Sequence, residues 1–225
     1  MRFIHASDLH IDSPLRGLDR YDGAPVDRLR SATRSALERL VDRALTERVD
    51  FLLLAGDIYD RDWQDFHTGL FFRGQMVRLE RAGIRCFIVQ GNHDAQGVIS
   101  RQLTLPSNVT VFSSRAAQTI RLDDLSVAIH GRSFPEREVN EDLVPSYPPP
   151  VPGFFNIGLL HTSLTGRAGH DTYAPTDLPT LVAKGYDYWA LGHVHAREVL
   201  NERPRIVFCG NLQGRHAKET GAKGC

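Results

Sequence analysis

Residues 51–60 read Phe51-Leu52-Leu53-Leu54-Ala55-Gly56-Asp57-Ile58-Tyr59-Asp60. Five consecutive apolar residues with no polar face predict a strand covered on both sides, in the middle of a sheet. The polarity then changes at once. Gly56 permits a sharp turn, and two carboxylates follow. An apolar run followed by a short polar loop recurs along the chain. Ser7-Asp8-Leu9-His10 follows Phe3-Ile4-His5-Ala6. Gly91-Asn92-His93-Asp94 follows the run that starts at Cys86. His161 follows Ile157-Gly158-Leu159-Leu160, and Gly192-His193-Val194-His195 follows Trp189-Ala190-Leu191. In α/β sheets the carboxyl ends of the strands carry the ligand crevice.

Between these strands the pattern changes period. Over residues 26–49, Leu29, Ala32, Ala36, Leu37, Leu40, Val41, Ala44 and Leu45 recur at helical spacing, with Arg and Glu outside, which predicts a long amphipathic helix. A second helix is expected over 66–82, stopped by Gly83. The first third therefore reads strand-helix-strand-helix-strand, a doubly wound α/β pattern. Residues 109–112, 118–122 and 125–130 are short strand-like runs. Asp123-Asp124 is placed as a hairpin turn, so antiparallel strands are expected here. Residues 145–152 hold five prolines and read as a surface connection between two halves of one domain, with a polyproline ligand as the alternative. Strands resume at 155–160, 188–191, 199–200 and 206–209, with a helix near 178–184. No fixed-period repeat is present.

The chain of 225 residues is 41% hydrophobic and 24% charged, with formal net charge zero. One large α/β domain over 1–225 fits, or at most one domain plus a small appendage, whereas disordered and fibrous classes do not. Neutrality argues against a strongly basic nucleic-acid clamp but leaves a nucleic-acid substrate open, because a metal centre supplies local positive charge. Lys occurs only at 184, 218 and 223, so the basic side chains are nearly all Arg. Arg suits bidentate phosphate binding, but a biased genome composition explains the excess more cheaply. Cys86, Cys209 and Cys225 fit neither a disulfide framework nor a zinc knuckle, and a reducing, cytoplasmic setting is the expectation. Asp8 interrupts the N-terminus too early for a signal peptide, and no run of about 18 apolar residues predicts a membrane span. The end at Cys225 reads as a cut, so a fragment of a longer protein is expected.

Each polar loop alone is a weak signal, since Asp-x-His pairs and Gly-Asp turns are common. Five strand ends that all present metal-type residues make a specific one. Carboxylate, amide and imidazole donors without thiolate suit Mn²⁺ or Fe, with Zn²⁺ compatible, better than a structural zinc site. Seven donors exceed one tetrahedral site, and two ions sharing a bridging carboxylate would use them. Asp57, after Gly56, is the expected bridge. A pair of ions about 3.5–4 Å apart polarises a phosphoryl oxygen and activates water near neutral pH. His93 stands beside Asn92 and is the expected general acid, with Asp94 holding it in its charged donor form by a hydrogen bond.

These blocks, in order (Asp8-x-His10, Gly56-Asp57-x-x-Asp60, Gly91-Asn92-His93-Asp94, His161, Gly192-His193-x-His195), resemble the calcineurin-like metallophosphoesterase superfamily over nearly the whole chain. Within it the chain is similar to the SbcD-type DNA repair nucleases, through His5 to His10, Gly56 to Asp60 and Leu191 to His195. The YhaO-like bacterial branch is indicated by Ile11 to Leu15, by Gly169-His170-Asp171-x-Tyr173-Ala174-Pro175, and by Gly210-Asn211-Leu212-Gln213-Gly214-Arg215-His216. The resemblance implies a four-layer sandwich, two mixed sheets flanked by helices. It implies one metal held by Asp8, His10, Asp57 and His195, and another held by Asp57, Asn92, His161 and His193, with His93 as the catalytic histidine. Related archaeal and eukaryotic nucleases carry His where this chain has Asp60, so a phosphate-contacting role does not transfer there, and orienting the ligands is the alternative for Asp60. A capping domain that helps select DNA and a coiled-coil ABC-type ATPase partner belong to the same implication, a homodimer is a further expectation, and the cap segment is expected to be missing from this chain.

The expected activity is a Mn²⁺-dependent exonuclease of DNA repair. A phosphatase or small phosphodiesterase on the same scaffold is the alternative. A non-catalytic binding module would show eroded ligands, and none is missing. His5 and His130 are expected to be structural, His67 receives no role, and His170 and His216 are candidates for lining a substrate groove.

Overall fold

The computed structural model describes residues 1–13, 28, 31–60, 65–95, 103–165, 173–216 and 218–225. The first sheet holds β1 (Phe3–Ala6), β2 (Phe51–Ala55), β3 (Arg85–Val89) and β4 (Val109–Val111), in that spatial order and parallel throughout. The second holds β5 (Gln118–Leu122), β6 (Val127–Gly131), β7 (Phe155–His161), β8 (Tyr188–Gly192), β9 (Glu198–Glu202) and β10 (Arg205–Phe208) in the order β5-β6-β7-β8-β10-β9. Its centre is parallel, and the edge pairs β5–β6 and β9–β10 are antiparallel.

Side-chain alternation builds four layers from these elements. On β2, Leu52 and Leu54 face helices α1 (Ala32–Glu47) and α2 (Phe66–Arg81) and join a core with Leu37, Val41, Phe72 and Met76. Phe51, Leu53 and Ala55 point the other way and meet Ile129, Ile157 and Leu159 between the sheets. The outer face of the second sheet buries Trp189, Leu191 and Phe208 under α3 (Leu178–Ala183) and the residues around Phe134 and Tyr147. A strand that is apolar on both faces is required only where a layer lies on each side, as the pentapeptide 51–55 predicts.

Local chemistry sets the helix ends. Asp65 caps α2 by accepting the His67 N–H at 2.9 Å, and Gly83, at φ +72°, ends that helix as expected. Asp177 caps α3 by accepting from the Thr180 N–H at 2.8 Å. The expected helix over 26–49 is realised as α1, and its start at 26–27 and 29–30 lies outside the described residues. The hairpin across Asp123-Asp124 joins β5 to β6 antiparallel, as expected. β4 departs from the expectation, because it pairs parallel to β3 in the first sheet. A two-residue period encodes which face is buried but not the direction of the strand, which the path of the chain decides. The proline-rich stretch runs along the second sheet. There Tyr147 Oη donates to the Leu159 carbonyl at 2.8 Å, Tyr186 Oη donates to the Pro148 carbonyl at 2.6 Å, and the Lys184 ammonium reaches the Tyr147 carbonyl.

The carboxyl ends of β1, β2, β3, β7 and β8 converge. The loop after β1 is laced to the loop after β2, with Asp8 N–H to Gly56 O at 3.0 Å, His10 N–H to Asp57 O at 3.1 Å and Ile11 N–H to Ile58 O at 3.0 Å. The sheets close up there, and a Cβ at Gly192 would lie 1.9 Å from the Ala55 carbonyl oxygen.

Candidate metal centre

All seven expected ligands meet at this convergence. Asp8, His10, Asp57, Asn92 and His161 are buried, while His193 and His195 are partly exposed. Three groups of donor atoms form among the described residues, each with its members within 4.8 Å of one another: one is His10, Asp60 and His93, and the two that match the expected ligand sets are Asp8, His10 and His195, and Asp57, His161 and His193. Asp57 lies between them. Its Oδ2 is 3.8 Å from His10 Nε2 and 3.5 Å from His161 Nε2. Its Oδ1 accepts the His93 backbone N–H at 3.0 Å.

Four of the seven, Asp8, His10, Asp57 and His193, have positive φ, at 51°, 40°, 53° and 99°. Non-glycine residues rarely adopt this region, and the strain is held by the surrounding structure at sites where function needs it. Close packing explains two glycines. A Cβ at Gly56 would lie 2.4 Å from His161 Nδ1, and one at Gly91 would lie 2.4 Å from Asp57 Oδ1.

The donor set fits divalent cations. His161 Nδ1–H donates to the Ala55 carbonyl at 2.8 Å, so its Nε2 carries a lone pair, and that lone pair faces Asn92 Oδ1 at 3.0 Å. His195 Nδ1–H donates to Glu219 Oε1 at 2.6 Å, which turns its Nε2 towards His10 Nε2 at 3.2 Å. The His161 lone pair and the Asn92 oxygen, brought face to face, repel unless a cation lies between them. The carboxylates agree. Burial pushes Asp8 up to about 7 against the opposing charge of His195, and pushes Asp57 up to about 6 against the charge of His93. Two buried carboxylates of this kind call for a positive partner, and dications reverse the cost of keeping them ionised. His161 and His10 are held below their ordinary values, first by burial, so both are neutral donors.

His93 stands beside the two groups, its ring centroid 4.9 Å from that of His10. One expectation is corrected here. Asp94 does not bond the His93 ring. It accepts from the backbone N–H groups of Ile58, Tyr59 and Gly91 at 3.0–3.2 Å and so ties the loop after β2 to the loop after β3. The partner of His93 is Asp60, with Nδ1 to Oδ1 at 2.7 Å. Neighbours in sequence point apart in a tight turn, whereas Asp60 reaches across from the facing loop. Burial opposes protonation of His93, but the Asp60 hydrogen bond and the Asp57 and Asp60 charges outweigh it and raise the pKa. Asp60 also accepts from Ser13 Oγ at 2.5 Å and from the Arg215 guanidinium. Despite burial, these donors hold it well below the usual carboxylate range.

Sequence reasoning missed Glu219 and Arg215. Glu219 Oε2 accepts from Asn211 Nδ2 at 2.9 Å and from the Arg215 N–H at 2.7 Å while Oε1 holds His195. A lone Glu in a loop has no periodic signature, and only the neighbouring Gly210 to His216 block marked this stretch. His216 is exposed, with Nε2 3.5 Å from Glu219 Oε1. His170 lies outside the described residues. His5 and His130 are structural, as expected. His5 bonds Tyr188 Oη and the Leu191 carbonyl, and His130 bonds Thr119 and Asn156. No helix among the described residues is long and apolar enough to cross a membrane.

Comparison with known proteins agrees with this centre. The calcineurin-like phosphoesterase family matches residues 1–197. The uncharacterized metallophosphoesterase YhaO of Bacillus subtilis is 39% identical over 228 residues, which cover 100% of this chain and 56% of YhaO. The DNA double-strand break repair protein Mre11 of Methanopyrus kandleri is 24% identical, over 87% of this chain and 44% of its own. The D component of the nuclease SbcCD of Escherichia coli is 23% identical, over 94% of this chain and 60% of its own. The chain thus spans about half the length of the curated relatives it matches. A dimetal phosphatase from Danio rerio shares the fold, with a TM-score of 0.55 at 11% identity, over 94% of this chain and 88% of that one. Five converging loops, two donor groups joined at Asp57 and a family match over most of the sequence lead to one conclusion: the chain belongs to the calcineurin-like phosphoesterase family, whose members are metal-dependent phosphoester hydrolases.

Proposed function

We propose that this protein is a two-metal phosphodiesterase that cleaves DNA, an exonuclease of DNA repair working with Mn²⁺. The observation that carries the two-metal reading is the position of Asp57 Oδ2, which faces one histidine of each donor group. Asp8, His10, Asp57 and His195 would hold one ion, and Asp57, Asn92, His161 and His193 the other. Bound ions supply Lewis acidity towards a phosphoryl oxygen and an activated water. His93, fixed through Nδ1 by Asp60, has Nε2 left to give a proton to the leaving oxygen. Asp94 serves by binding the two loops together.

DNA as substrate is supported by the relatives named as Mre11 and as a component of a nuclease. The SbcCD relative is by name one part of an assembly, which supports a partner here too, and we take the coiled-coil ABC-type ATPase as that partner. Donors of oxygen and imidazole type without thiolate support Mn²⁺. The test is hydrolysis of end-labelled single- and double-stranded DNA with Mn²⁺, beside nucleotides and phosphopeptides. Progressive shortening of DNA is the expected result, and turnover confined to nucleotides or phosphopeptides would sink the nuclease reading.

A further inference from the structure

Around the candidate metal centre Asp8, His10 and Asp57 are sealed, whereas His93, His193, His195 and Arg215 are partly open. His93 is 18% exposed, His195 21% and Arg215 24%. These side chains mark the mouth through which a substrate would reach the centre. His93 and His195 already have roles, but Arg215 has none. It sits in the Gly210 to His216 stretch, which folds back so that its backbone N–H is held by Glu219 and its Nη2 donates to Asp60 and, at 3.4 Å, to Ser13 Oγ. Asp60 is the carboxylate that fixes His93, so one anchor sets both the imidazole and the guanidinium on the same side of the centre.

The guanidinium is not saturated. Its Nε is buried and makes no hydrogen bond among the described residues, although a guanidinium offers five N–H donors in a planar fork. A purely structural arginine at a partly open site would be expected to spend those donors on the protein. A buried donor without a partner carries a cost that an arriving acceptor removes. The fork matches the non-bridging oxygens of a phosphoryl group.

We propose that Arg215 binds the phosphoryl group of the substrate at the metal centre, oriented by Asp60, and so acts as a substrate-contacting residue beside His93. This rests on the phosphoester reading of the same site and names the residue that grips the anion.

The probe is inorganic phosphate, bound to the Mn²⁺-loaded chain and followed by calorimetry, with metal content measured in parallel. Arg215→Ala is expected to keep both ions and to weaken phosphate about tenfold to a hundredfold, on the scale of a charge-assisted hydrogen-bond pair. Arg215→Lys is expected to lose less, since it keeps the charge without the fork. Added guanidinium ion is expected to restore part of the affinity of Arg215→Ala, which relief of a folding defect would not do. Phosphate affinity within twofold of the parent, with both ions bound, would overturn the proposal. Loss of an ion in both variants would also overturn it, because Arg215 would then act only by supporting the ligands. Phosphate binding is read without turnover, so DNA cleavage can fail without altering this result.

Discussion

At the residue scale, the centre separates side chains by what each polar atom is already doing. His161 and His195 each spend Nδ1 on the protein, on the Ala55 carbonyl and on Glu219, which leaves Nε2 free for the proposed ions. His93 spends Nδ1 on Asp60 and stands outside the two proposed ligand quartets, although it groups with His10 and Asp60. Two substitutions should part these roles. His93→Ala is expected to cut turnover about 10²- to 10⁴-fold, the range for a positioned general acid, while metal content stays at two. Loss of an ion in that variant would make His93 a ligand instead. Glu219→Gln should act the other way and weaken binding of one ion about 10- to 100-fold, as loss of a ligand's orienting partner does. A metal titration that matches the parent would remove Glu219 from that role.

At the element scale, the loops are placed by strands that pack without slack. Gly158 in β7 lies against Trp189 of β8, and a Cβ at 158 would come within 2.3 Å of the indole Cε3. The indole is fully buried and is held by its Nε1–H donating to the Leu181 carbonyl at 3.0 Å, so it cannot yield cheaply. Gly158→Ala should therefore destabilise the fold by about 1–3 kcal/mol, the usual cost of overpacking. Urea unfolding would show this as a lower midpoint with unchanged slope, and an unmoved midpoint would mean that the indole has room to shift. The strand ends, α2, α3 and the β5–β6 hairpin were legible because period, caps and turn residues are local signals. The direction of β4 was not, because parallel and antiparallel strands share one alternation.

At the scale of the whole molecule, the two sheets are joined near the site by His5. Its ring in β1 bridges Tyr188 Oη and the Leu191 carbonyl of β8, each at 3.1 Å. Burial, against the hydrogen bond to Leu191, lowers its pKa to about 4 from 6.5. The unfolded chain therefore binds more protons than the folded one between those values. Stability from this group is complete above pH 6.5 and falls as the pH drops towards 4, by an amount on the order of 3 kcal/mol. His5→Gln can keep hydrogen bonds but cannot take up the proton. Denaturant midpoints between pH 7 and pH 4 should fall less steeply in that variant than in the parent, and parallel curves would show that His5 does not carry the acid sensitivity.

The order of strands and helices, and the seven metal-type residues and His93 that the structure brings together, were all legible in the sequence alone. Each depends on a signal written within about ten residues: an apolar run, a turn glycine and a polar residue after it. Only the tertiary structure decided who partners whom across the cleft. It set Asp60 rather than Asp94 against His93, placed Asp57 Oδ2 between two histidines, and brought Glu219 and Arg215 to the mouth. Asp60 and His93 are 33 residues apart, and Arg215 lies 155 from Asp60. Contacts over such spans depend on how sheets converge and loops fold back, and no local period records that.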